Sequence, residues 1–371
     1  MGEIIEFSGA VLSGPHEEKR GLWSVDGRLT SVRPRSEPGL VLDGWVLPGL
    51  VDAHCHVGLG PGGAVGEETA HRQASADRDA GTLLIRDAGS ASDTRWLQQR
   101  SDMPRIIRAG RHIARQRRYI RGLAEEVEPD GLVEAVRKQA RDGDGWVKIV
   151  GDWIDRSTGD LASSFPAPVV KDAIAAAHDE GARVTAHCFA EGTIDEMLDA
   201  GIDCIEHATG LLPHHIPRLL EQDVPIVPTL TNIATFPDIA KRAEAKFPQY
   251  AAHMTALWER RFERVLEAFE AGVRVFAGTD AGTVIGHGRI GEEILALHQA
   301  GLPASAALDA ACWSAREWLG VDGLSEGASA DVVLYAEDPR VSVDVVLDPR
   351  HIVLRGRLLE PAEKRQSLGI N

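Results

Sequence analysis

Two histidines close the first strongly apolar run of the chain. The run GLVDAHCH ends in His54 and His56, with Cys55 between them. Because the side chains of a β-strand alternate between its two faces, both imidazoles lie on one face and Cys55 lies on the other. Two neutral ring nitrogens on one face can bind one divalent cation. Paired histidines on a strand also serve as local hydrogen-bonding groups, so this pair alone is a weak indication of a metal site.

Three more side chains of the metal-binding types stand at the ends of later apolar runs. His187 belongs to RVTAHC, His207 to CIEHA, and Asp280 ends RVFAGTD. The carboxyl ends of the strands meet on one face of a (β/α)₈ barrel, which is where such barrels hold their active sites. An isolated buried histidine is usually a core residue that hydrogen-bonds to the backbone. The agreement among these positions favours a metal site instead.

Lys148 lies inside the apolar run WVKIV, where an unpaired ammonium group would be costly. One solution is carboxylation by CO₂, which turns the amine into a carbamate that can bridge two divalent cations. Their other ligands would be His54, His56 and Asp280 for the first cation, and His187 and His207 for the second. The alternative is an ammonium group paired with Asp280 or Asp152, which leaves one cation. Zinc suits such ligands, and manganese, iron or cobalt can occupy similar sites.

Eight apolar runs alternate with amphipathic helical stretches between residues 49 and 320. This alternation is typical of a parallel sheet covered by helices, and eight repeats favour a closed TIM-like (β/α)₈ barrel over an open sheet. We therefore assign residues 49–324 to an α/β barrel. Short strand-like segments flank it, with a hairpin signal at Asp26-Gly27. Residues 1–48 and 325–371 are predicted to form one small β-sandwich domain built from both chain termini.

Substrate contacts are expected from loops on the same face as the metal ligands. The loop after the third apolar run is rich in basic residues, which can hold a substrate carboxylate through charge-assisted hydrogen bonds. Its candidate substrate-binding residues are His112, Arg115, Arg118 and Tyr119. A solvated run of charges is the alternative interpretation.

Two further observations concern the surroundings of the predicted site. Residues 236–272 exceed the length of an ordinary helix connection, and they are predicted to include an extra helix over the site. Tyr250 and His287 are further pocket candidates, although a structural or exposed position fits each of them better.

Composition and charge exclude several classes of protein. The 371 residues are 43% hydrophobic and 26% charged, which is ordinary for a globular protein. A formal net charge of −16 argues against a nucleic-acid partner, because phosphate binding needs surplus lysine and arginine. No apolar run approaches the roughly 20 residues that span a bilayer, and no secretory signal is visible, so a cytoplasmic protein without membrane contact is expected. The four widely spaced cysteines fit buried thiols better than disulfides.

Two segments of the chain resemble the amidohydrolase superfamily. Residues 47–56, LPGLVDAHCH, resemble its opening signature, and residues 326–333, EGASADVV, resemble its return to the β-sandwich. The resemblance covers nearly the whole chain and implies metal ligands on strands 1, 4, 5, 6 and 8, in the order found here. The chain is most similar to the imidazolonepropionase-like amidohydrolases and metal-dependent Xaa-Pro or Xaa-Arg dipeptidases, in which strand 4 carries the carboxylated lysine. Residues 115–119 stand where members of that group often have a Gly-Gly-His-like loop, so the resemblance does not by itself identify the substrate.

The sequence therefore predicts a metal-dependent hydrolase that attacks the carbon–nitrogen bond of an amide, peptide or cyclic amide. A metal-bound hydroxide is the expected nucleophile, because a divalent cation lowers the pKa of bound water toward neutrality. Asp280 is expected to take a proton from the attacking water and to pass it to the leaving group. The expected partner is a small-molecule substrate, and a homo-oligomer is left open.

Three alternative functions remain at this point. A mononuclear deaminase or cyclic-amidine hydrolase would carry a glutamate three residues after the histidine of strand 5, where this chain has Ala190, with Glu191 one residue later. A lactonase would use the same pair of cations on an ester. A non-catalytic binding barrel would not need the full set of metal ligands.

Overall fold

The computed structural model describes residues 3–359. The predicted terminal β unit also includes residues 1–2 and 360–371, which lie outside the described residues. The strands, in chain order, are β1 (Ile4–Phe7), β2 (Ala10–Gly14), β3 (Glu17–Lys19), β4 (Leu22–Val25), β5 (Arg28–Thr30), β6 (Leu40–Leu42), β7 (Trp45–Pro48), β8 (Leu50–Cys55), β9 (Leu59–Gly60), β10 (Gly63–Ala64), β11 (Thr82–Asp87), β12 (Arg105–Arg108), β13 (Ile113–Arg115), β14 (Glu125–Val127), β15 (Trp146–Val150), β16 (Asp152–Asp155), β17 (Asp160–Ser163), β18 (Arg183–Cys188), β19 (Cys204–His207), β20 (Ile226–Val227), β21 (Val332–Tyr335), β22 (His351–Leu354) and β23 (Arg357–Leu358).

The α-helices, in chain order, are α1 (Glu67–Asp79), α2 (Arg95–Gln98), α3 (Leu132–Asp142), α4 (Ala167–Asp179), α5 (Glu191–Ala200), α6 (Ile216–Glu221), α7 (Leu230–Ile233), α8 (Phe236–Ala243), α9 (Pro248–Glu259), α10 (Arg261–Glu270), α11 (Ile290–Gln299), α12 (Ala304–Asp309) and α13 (Trp313–Trp318). Short 3₁₀ helices lie at Pro129–Gly131 and Val343–Leu347.

Parallel strands run through the middle of the molecule, and all of them except β14 follow one another in chain order. One sheet pairs β8 with β11 and β11 with β12, and another runs β14-β13-β15-β18-β19-β20, with every pair parallel. Only residues 109–112 separate β12 from β13, so these two strands link the sheets. Isolated parallel bridges join Ile226 of β20 to Val275, and Cys55 of β8 to Ala281. The chain therefore has an α/β fold whose parallel pairing returns to its first strand.

The local sequence accounts for these elements. All five residues of β15 are buried, as expected of a parallel strand that is covered on both faces. Helix α5 ends at Gly201, whose φ of 85° is the left-handed conformation that commonly terminates a helix. Helix α3 has its buried positions at spacings of three and four, which form one buried stripe that is apolar except for Gln139: Leu132, Ala135, Val136, Gln139 and Ala140.

The two ends of the chain meet in a pair of sheets. Strands β5-β4-β1-β6 form one sheet, and β23-β22-β21-β7-β2-β3 form the other, in which β21 from the C-terminal part pairs with β7. Buried apolar residues from both ends of the chain form one cluster here, which includes Phe7, Leu29 and Val332. Asp26 and Gly27 connect β4 to β5 with φ values of 50° and 77°, which confirms the predicted hairpin turn.

Two predictions about the class of protein can be compared with the described residues. All four cysteines are buried and none forms a disulfide, as expected from their spacing. No helix within residues 3–359 combines the length and the apolar character that crossing a membrane requires.

The region of residues 236–272 contains three helices rather than one. Its helices α8 and α9 pack with the hairpin formed by β16 and β17, and α10 follows them directly. Phe236 and Met254 are fully buried in the shared apolar cluster, while Trp153 and Leu161 of the hairpin pack against it. The predicted extra helix is therefore present, and a second helix and a hairpin accompany it.

His253 ties helix α9 to two other elements. Its Nδ1 lies 2.9 Å from a carboxylate oxygen of Asp160 on β17, and its Nε2 lies 3.0 Å from a carboxylate oxygen of Glu191 at the start of α5. Arg260 also pairs with Glu191. The hydrogen bond to Glu191 and that to Asp160 outweigh partial burial and raise the pKa of His253 to about 9. At neutral pH the imidazolium therefore holds α9 against the neighbouring elements.

The free energy of unfolding should depend on pH through His253. Its pKa is higher in the folded chain than the unperturbed value of 6.5, so its contribution is complete below about pH 6.5 and is lost as pH rises through about 9. Because the site is only half-buried, we expect a loss of about 1 kcal/mol. Urea unfolding at several pH values, with His253→Gln as the reference, measures it. A constant difference between the two proteins across this range would contradict the assignment.

Candidate metal centre and cavity

Three potential ligand atoms converge at the carboxyl ends of the first and last parallel segments. His54 Nε2 lies 3.3 Å from His56 Nε2 and 3.3 Å from Asp280 Oδ1, and His56 Nε2 lies 3.2 Å from the same oxygen. Strand β8 carries His54, and His56 follows its last residue. Asp280 reaches the group from a backbone in the left-handed region, with a φ of 56°.

The partners of the two histidines determine which ring nitrogens carry hydrogen. His54 Nδ1 lies 2.7 Å from Glu206 Oε2, and His56 Nδ1 lies 2.6 Å from the carbonyl oxygen of Gly89. Burial alone would raise the pKa of Glu206, but Arg86 and His54 lower it well below its usual range, so it accepts the hydrogen bond as a carboxylate. When it is neutral, each imidazole therefore carries its hydrogen on Nδ1 and presents a lone pair from Nε2. These lone pairs and the Asp280 carboxylate repel one another unless a cation lies among them.

His187 and His207 form the second half of the cluster. Their rings are 4.6 Å apart, and the ring of His207 is 5.1 Å from that of His54. Burial lowers the pKa of both well below the usual range of histidine, so both are neutral. His207 Nδ1 is held 2.7 Å from Thr229 Oγ1. His187 Nε2 is buried without a hydrogen-bond partner, and the nearest carboxylate oxygen, Asp152 Oδ1, lies 3.6 Å away, so this nitrogen is available as a metal ligand.

Lys148 lies among these groups and is only 3% exposed. Within residues 3–359 it makes no hydrogen bond or ion pair, so the pairing with Asp280 or Asp152 that the sequence left open is not formed. Asp152 instead accepts hydrogen bonds from the backbone N–H groups of Phe189 and Ala190, at 2.8 to 3.1 Å. Burial lowers the pKa of the Lys148 amine below its ordinary value, which favours the uncharged form that can react with CO₂.

These groups open into a cavity of about 270 Å³. All six residues predicted as metal ligands line it, and the structure thus brings them together. Aromatic side chains form much of its wall: Tyr119, Trp153, Phe189, Phe236 and Tyr250. Tyr250 is therefore a cavity residue, whereas His287 lies outside the lining and bonds to Asp77 at 2.7 Å.

The structure separates the four predicted substrate-binding residues into two pairs. His112 and Tyr119 line the cavity. His112 Nδ1 lies 3.2 Å from the Gly89 carbonyl oxygen that His56 also contacts, and its Nε2 is buried without a partner. Gly89 has a φ of 108°, and a Cβ there would lie 2.5 Å from the backbone nitrogen of His112, so only glycine fits.

Arg115 and Arg118 are placed differently from the sequence expectation. Arg115 donates to the carbonyl oxygen of Ser164 at 3.2 Å, and Arg118 donates to Asp155 at 3.1 Å and to the carbonyl oxygen of Ala162 at 3.3 Å. Neither residue belongs to the cavity lining. Both brace the β16–β17 hairpin, because its carboxylate and backbone carbonyls offer nearby acceptors.

Other functional residues were not identified from the sequence. Arg86 Nη2 lies 2.5 Å from Glu206 Oε1, and both side chains are fully buried beneath His54. Each is a charged residue inside an apolar run, the same signal that singled out Lys148. Asn232 belongs to the short helix α7, and its Nδ2 donates a hydrogen bond to Asp280 Oδ2 at 2.7 Å. No sequence pattern indicates this residue.

Comparisons with known proteins agree with this arrangement. A family model described as "Amidohydrolase family" matches residues 45–358. An uncharacterised protein of Mycobacterium tuberculosis is 54% identical over 349 residues, which cover 94% of each chain. The ochratoxinase of Aspergillus niger is 26% identical over 244 residues, which are 62% of this chain and 50% of that protein.

Solved structures provide the comparison of folds. A Xaa-Pro dipeptidase with bound methionine superposes with a TM-score of 0.82 at 22% identity, over 97% of this chain and 100% of the other. The A. niger ochratoxinase structure superposes with a TM-score of 0.77 at 20% identity, over 96% and 95%. At these identities the similarity concerns the fold.

Replacing Glu206 should destabilise the protein strongly. The variant Glu206→Gln leaves the guanidinium of Arg86 buried without its counter-ion, and breaking one side of a buried pair costs about 3–5 kcal/mol. Urea unfolding of the variant and the unmodified protein measures the difference. The control Glu17→Gln removes a pair with Lys19 in which both side chains are exposed, and it should change stability by less than about 0.5 kcal/mol. Equal stabilities of the two variants would contradict this role of Glu206.

Proposed function

Because the chain belongs to the amidohydrolase family of hydrolytic enzymes, we propose that it is a metal-dependent hydrolase that cleaves a carbon–nitrogen bond of an amide, peptide or cyclic amide. The observation that carries this proposal is the convergence of three atoms within 3.3 Å of one another: His54 Nε2, His56 Nε2 and Asp280 Oδ1. When the histidines are neutral, none of these three atoms carries a hydrogen that could form a hydrogen bond to the others. A divalent cation fits that set of donors. Its chemistry, when bound, is to acidify a water molecule and to polarise the scissile carbonyl.

Asp280 has the contacts of a proton carrier. Its Oδ1 faces the histidines and its Oδ2 accepts the hydrogen bond of Asn232, so the carboxylate is fixed at the floor of the cavity. We assign to it the transfer of a proton from the attacking water to the leaving nitrogen. The oxygen of water forms the new bond to the carbonyl carbon, the carbon–nitrogen bond breaks, and the amine departs with that proton.

We also propose that Lys148 is carboxylated and that two cations are held. The support is a buried lysine with no ion pair in the described chain, next to His187 and His207, whose neutral rings offer a second set of donors. Zinc is the expected metal, with manganese, iron or cobalt as alternatives.

The same reasoning extends to the architecture. We propose that the eight parallel segments constitute the (β/α)₈ barrel of residues 49–324, and that the terminal sheets constitute a β-sandwich of residues 1–48 and 325–371. The return of the pairing to β8 and the apolar cluster shared by the terminal sheets support this division. Three further expectations stay predictions: a cytoplasmic location, a small-molecule substrate without a nucleic-acid or membrane partner, and a possible homo-oligomer.

The rival functions receive less support. A deaminase needs a proton carrier near the histidine of strand β18, but Glu191 pairs with His253 and Arg260 and lies outside the cavity lining. Membership of a hydrolytic family weighs against a non-catalytic binding barrel. A dipeptidase among the structural neighbours supports a carbon–nitrogen bond over the ester of a lactonase.

Measuring the metal content per chain and labelling Lys148 with an isotope test the proposal that two cations and a carbamate are present. We expect about two divalent cations per chain, and isotopically labelled bicarbonate should label Lys148 as a carbamate detectable by NMR. The variant Lys148→Met should lose the label and bind less metal, while Lys171→Met, on the exposed side of α4, should keep both. One cation with an unlabelled lysine would favour the mononuclear alternative, and a chain without affinity for divalent cations would overturn the proposed function.

Replacing Asp280 tests the proton transfer. Asparagine preserves the shape of the side chain but cannot accept the proton, so Asp280→Asn should reduce turnover about a hundredfold or more and reduce the metal content much less. Turnover and metal per chain are measured on the same preparation. The control Asp238→Asn changes an exposed residue of α8 and should leave both unchanged. A metal-loaded Asp280→Asn protein with normal turnover would exclude the assignment.

A further inference from the structure

A short segment after strand β20 contacts both halves of the proposed metal centre. Thr229 Oγ1 lies 2.7 Å from His207 Nδ1. Asn232 Nδ2 donates to Asp280 Oδ2, also at 2.7 Å. Only two residues separate Thr229 from Asn232 along the chain. The position of residues 229–232 therefore determines the hydrogen-bond partner of one proposed ligand in each half of the centre.

These four residues have little secondary structure of their own to hold them. Thr229 has a φ of 49°, in the left-handed region, and it precedes helix α7, which has only four residues. Forming a single helical turn costs conformational entropy for very few hydrogen bonds, so such a turn is not stable by itself. In addition, the first N–H groups of a helix have no partner within it. Residues 229–232 must therefore be fixed by contacts with another element.

Glu293 of helix α11 supplies such contacts. Its Oε1 accepts a hydrogen bond from the backbone N–H of Leu230 at 2.8 Å. Its Oε2 accepts hydrogen bonds from both the backbone N–H and the hydroxyl of Thr231, each at 2.7 Å. Glu293 does not belong to the cavity lining. One carboxylate therefore binds the first two N–H groups of α7 and fixes this turn to a helix of ten residues.

Glu293 is a buried carboxylate without a counter-ion in the described chain. It is fully buried, and no lysine, arginine or histidine pairs with it within residues 3–359. Burying such a carboxylate is costly, whereas an apolar side chain of similar size would fill the same space without this cost. Burial raises the pKa of Glu293 to about 7, and the hydrogen bonds from Thr231 and Leu230 oppose this effect. The three hydrogen bonds to α7 are therefore what the carboxylate gains in this position.

We propose that Glu293 is a positioning residue of the metal centre. By fixing the start of α7, it holds the Thr229 hydroxyl at His207. In the same way, it holds the Asn232 amide at Asp280. Replacing a group that orients a metal ligand typically lowers the affinity for metal by about ten- to a hundredfold. This inference rests on the proposed function, because it requires that His207 and Asp280 bind a cation.

Titration of the metal-depleted protein with cobalt(II), followed by visible absorption, tests the inference, because the spectrum reports the arrangement of the ligands. The variant Glu293→Gln keeps the shape of the side chain, but its NH₂ group replaces one acceptor oxygen. At pH 8, we expect this variant to bind cobalt at least about tenfold more weakly and to show a different spectrum at saturation. A loss of stability alone would not alter the spectrum of the folded, saturated protein.

The adjacent residue provides the matched control. Glu292 is exposed and pairs with Arg289 on the same helix. The variant Glu292→Gln makes the same chemical change one residue away, and it should keep both the cobalt affinity and the spectrum.

Two further variants show whether Glu293 acts through α7. Thr231→Val removes only the hydroxyl that donates to Glu293, so it should change the affinity and the spectrum in the same direction by a smaller amount. Asn232→Ala removes the contact with Asp280. Because the two residues act through one segment, Glu293→Gln should weaken cobalt binding by a smaller factor in the Asn232→Ala protein than in the unmodified protein.

The outcomes separate this inference from the proposed function. A Glu293→Gln protein that is folded by circular dichroism and has the normal cobalt affinity and spectrum would overturn the inference, and so would equal factors in the two backgrounds. If Glu293→Gln does not fold, Thr231→Val decides by the same two measurements. In each of these cases the unmodified protein binds cobalt and the proposed hydrolase stands. If the unmodified protein binds neither cobalt nor zinc, the proposed function fails, and this inference fails with it.

Discussion

The ion pair of Arg86 and Glu206 lies fully buried beneath the histidine cluster, and the geometry of the site depends on it. The guanidinium carbon of Arg86 is also 4.6 Å from the ring of Trp146 and 5.0 Å from that of Trp318, so aromatic faces surround the rest of the cation. The other oxygen of Glu206 holds His54 Nδ1 and thereby directs Nε2 at the cavity. A carboxylate that orients a ligating histidine in this way raises its affinity for metal. Burying the charges of Arg86 and Glu206 costs free energy, and in return Glu206 fixes the orientation of the His54 ring.

The backbone near the site is held in a costly conformation. His207, Thr229 and Asp280 have φ values of 66°, 49° and 56°, in a region that residues with a side chain rarely occupy. Each such residue costs on the order of 1 kcal/mol or more and persists because its neighbours constrain it. The backbone N–H of Asp280, for example, donates to the carbonyl oxygen of His54 at 2.7 Å. In these conformations Thr229 Oγ1 contacts His207 Nδ1, and Asp280 Oδ1 contacts the Nε2 atoms of His54 and His56.

The sequence was sufficient for the parts of the site that strand periodicity determines. His54, His56, His187, His207 and Asp280 each follow from the rule that the ends of parallel strands share a face, and Lys148 follows from a charge in an apolar run. Arg86 and Glu206 carry that same signal but are 120 residues apart, and spacing along the chain cannot indicate which buried charges pair. The sequence shows that Arg115 and Arg118 are cations in a basic loop, but it does not show which acceptors they bind. Those acceptors lie in and directly after the β16–β17 hairpin, 37 to 49 residues farther along the chain.

One carbonyl group connects the proposed metal centre to the wall of the cavity. The oxygen of Gly89 lies 2.6 Å from His56 Nδ1 and 3.2 Å from His112 Nδ1, so it is shared between a proposed metal ligand and a residue of the cavity wall. A ligand that draws His112 away would strengthen the remaining hydrogen bond and make His56 a better electron donor. Thermodynamic reciprocity then requires that occupancy of the metal centre alter the affinity for that ligand by the same factor. Any such coupling between the cation and that ligand would pass through this one backbone oxygen.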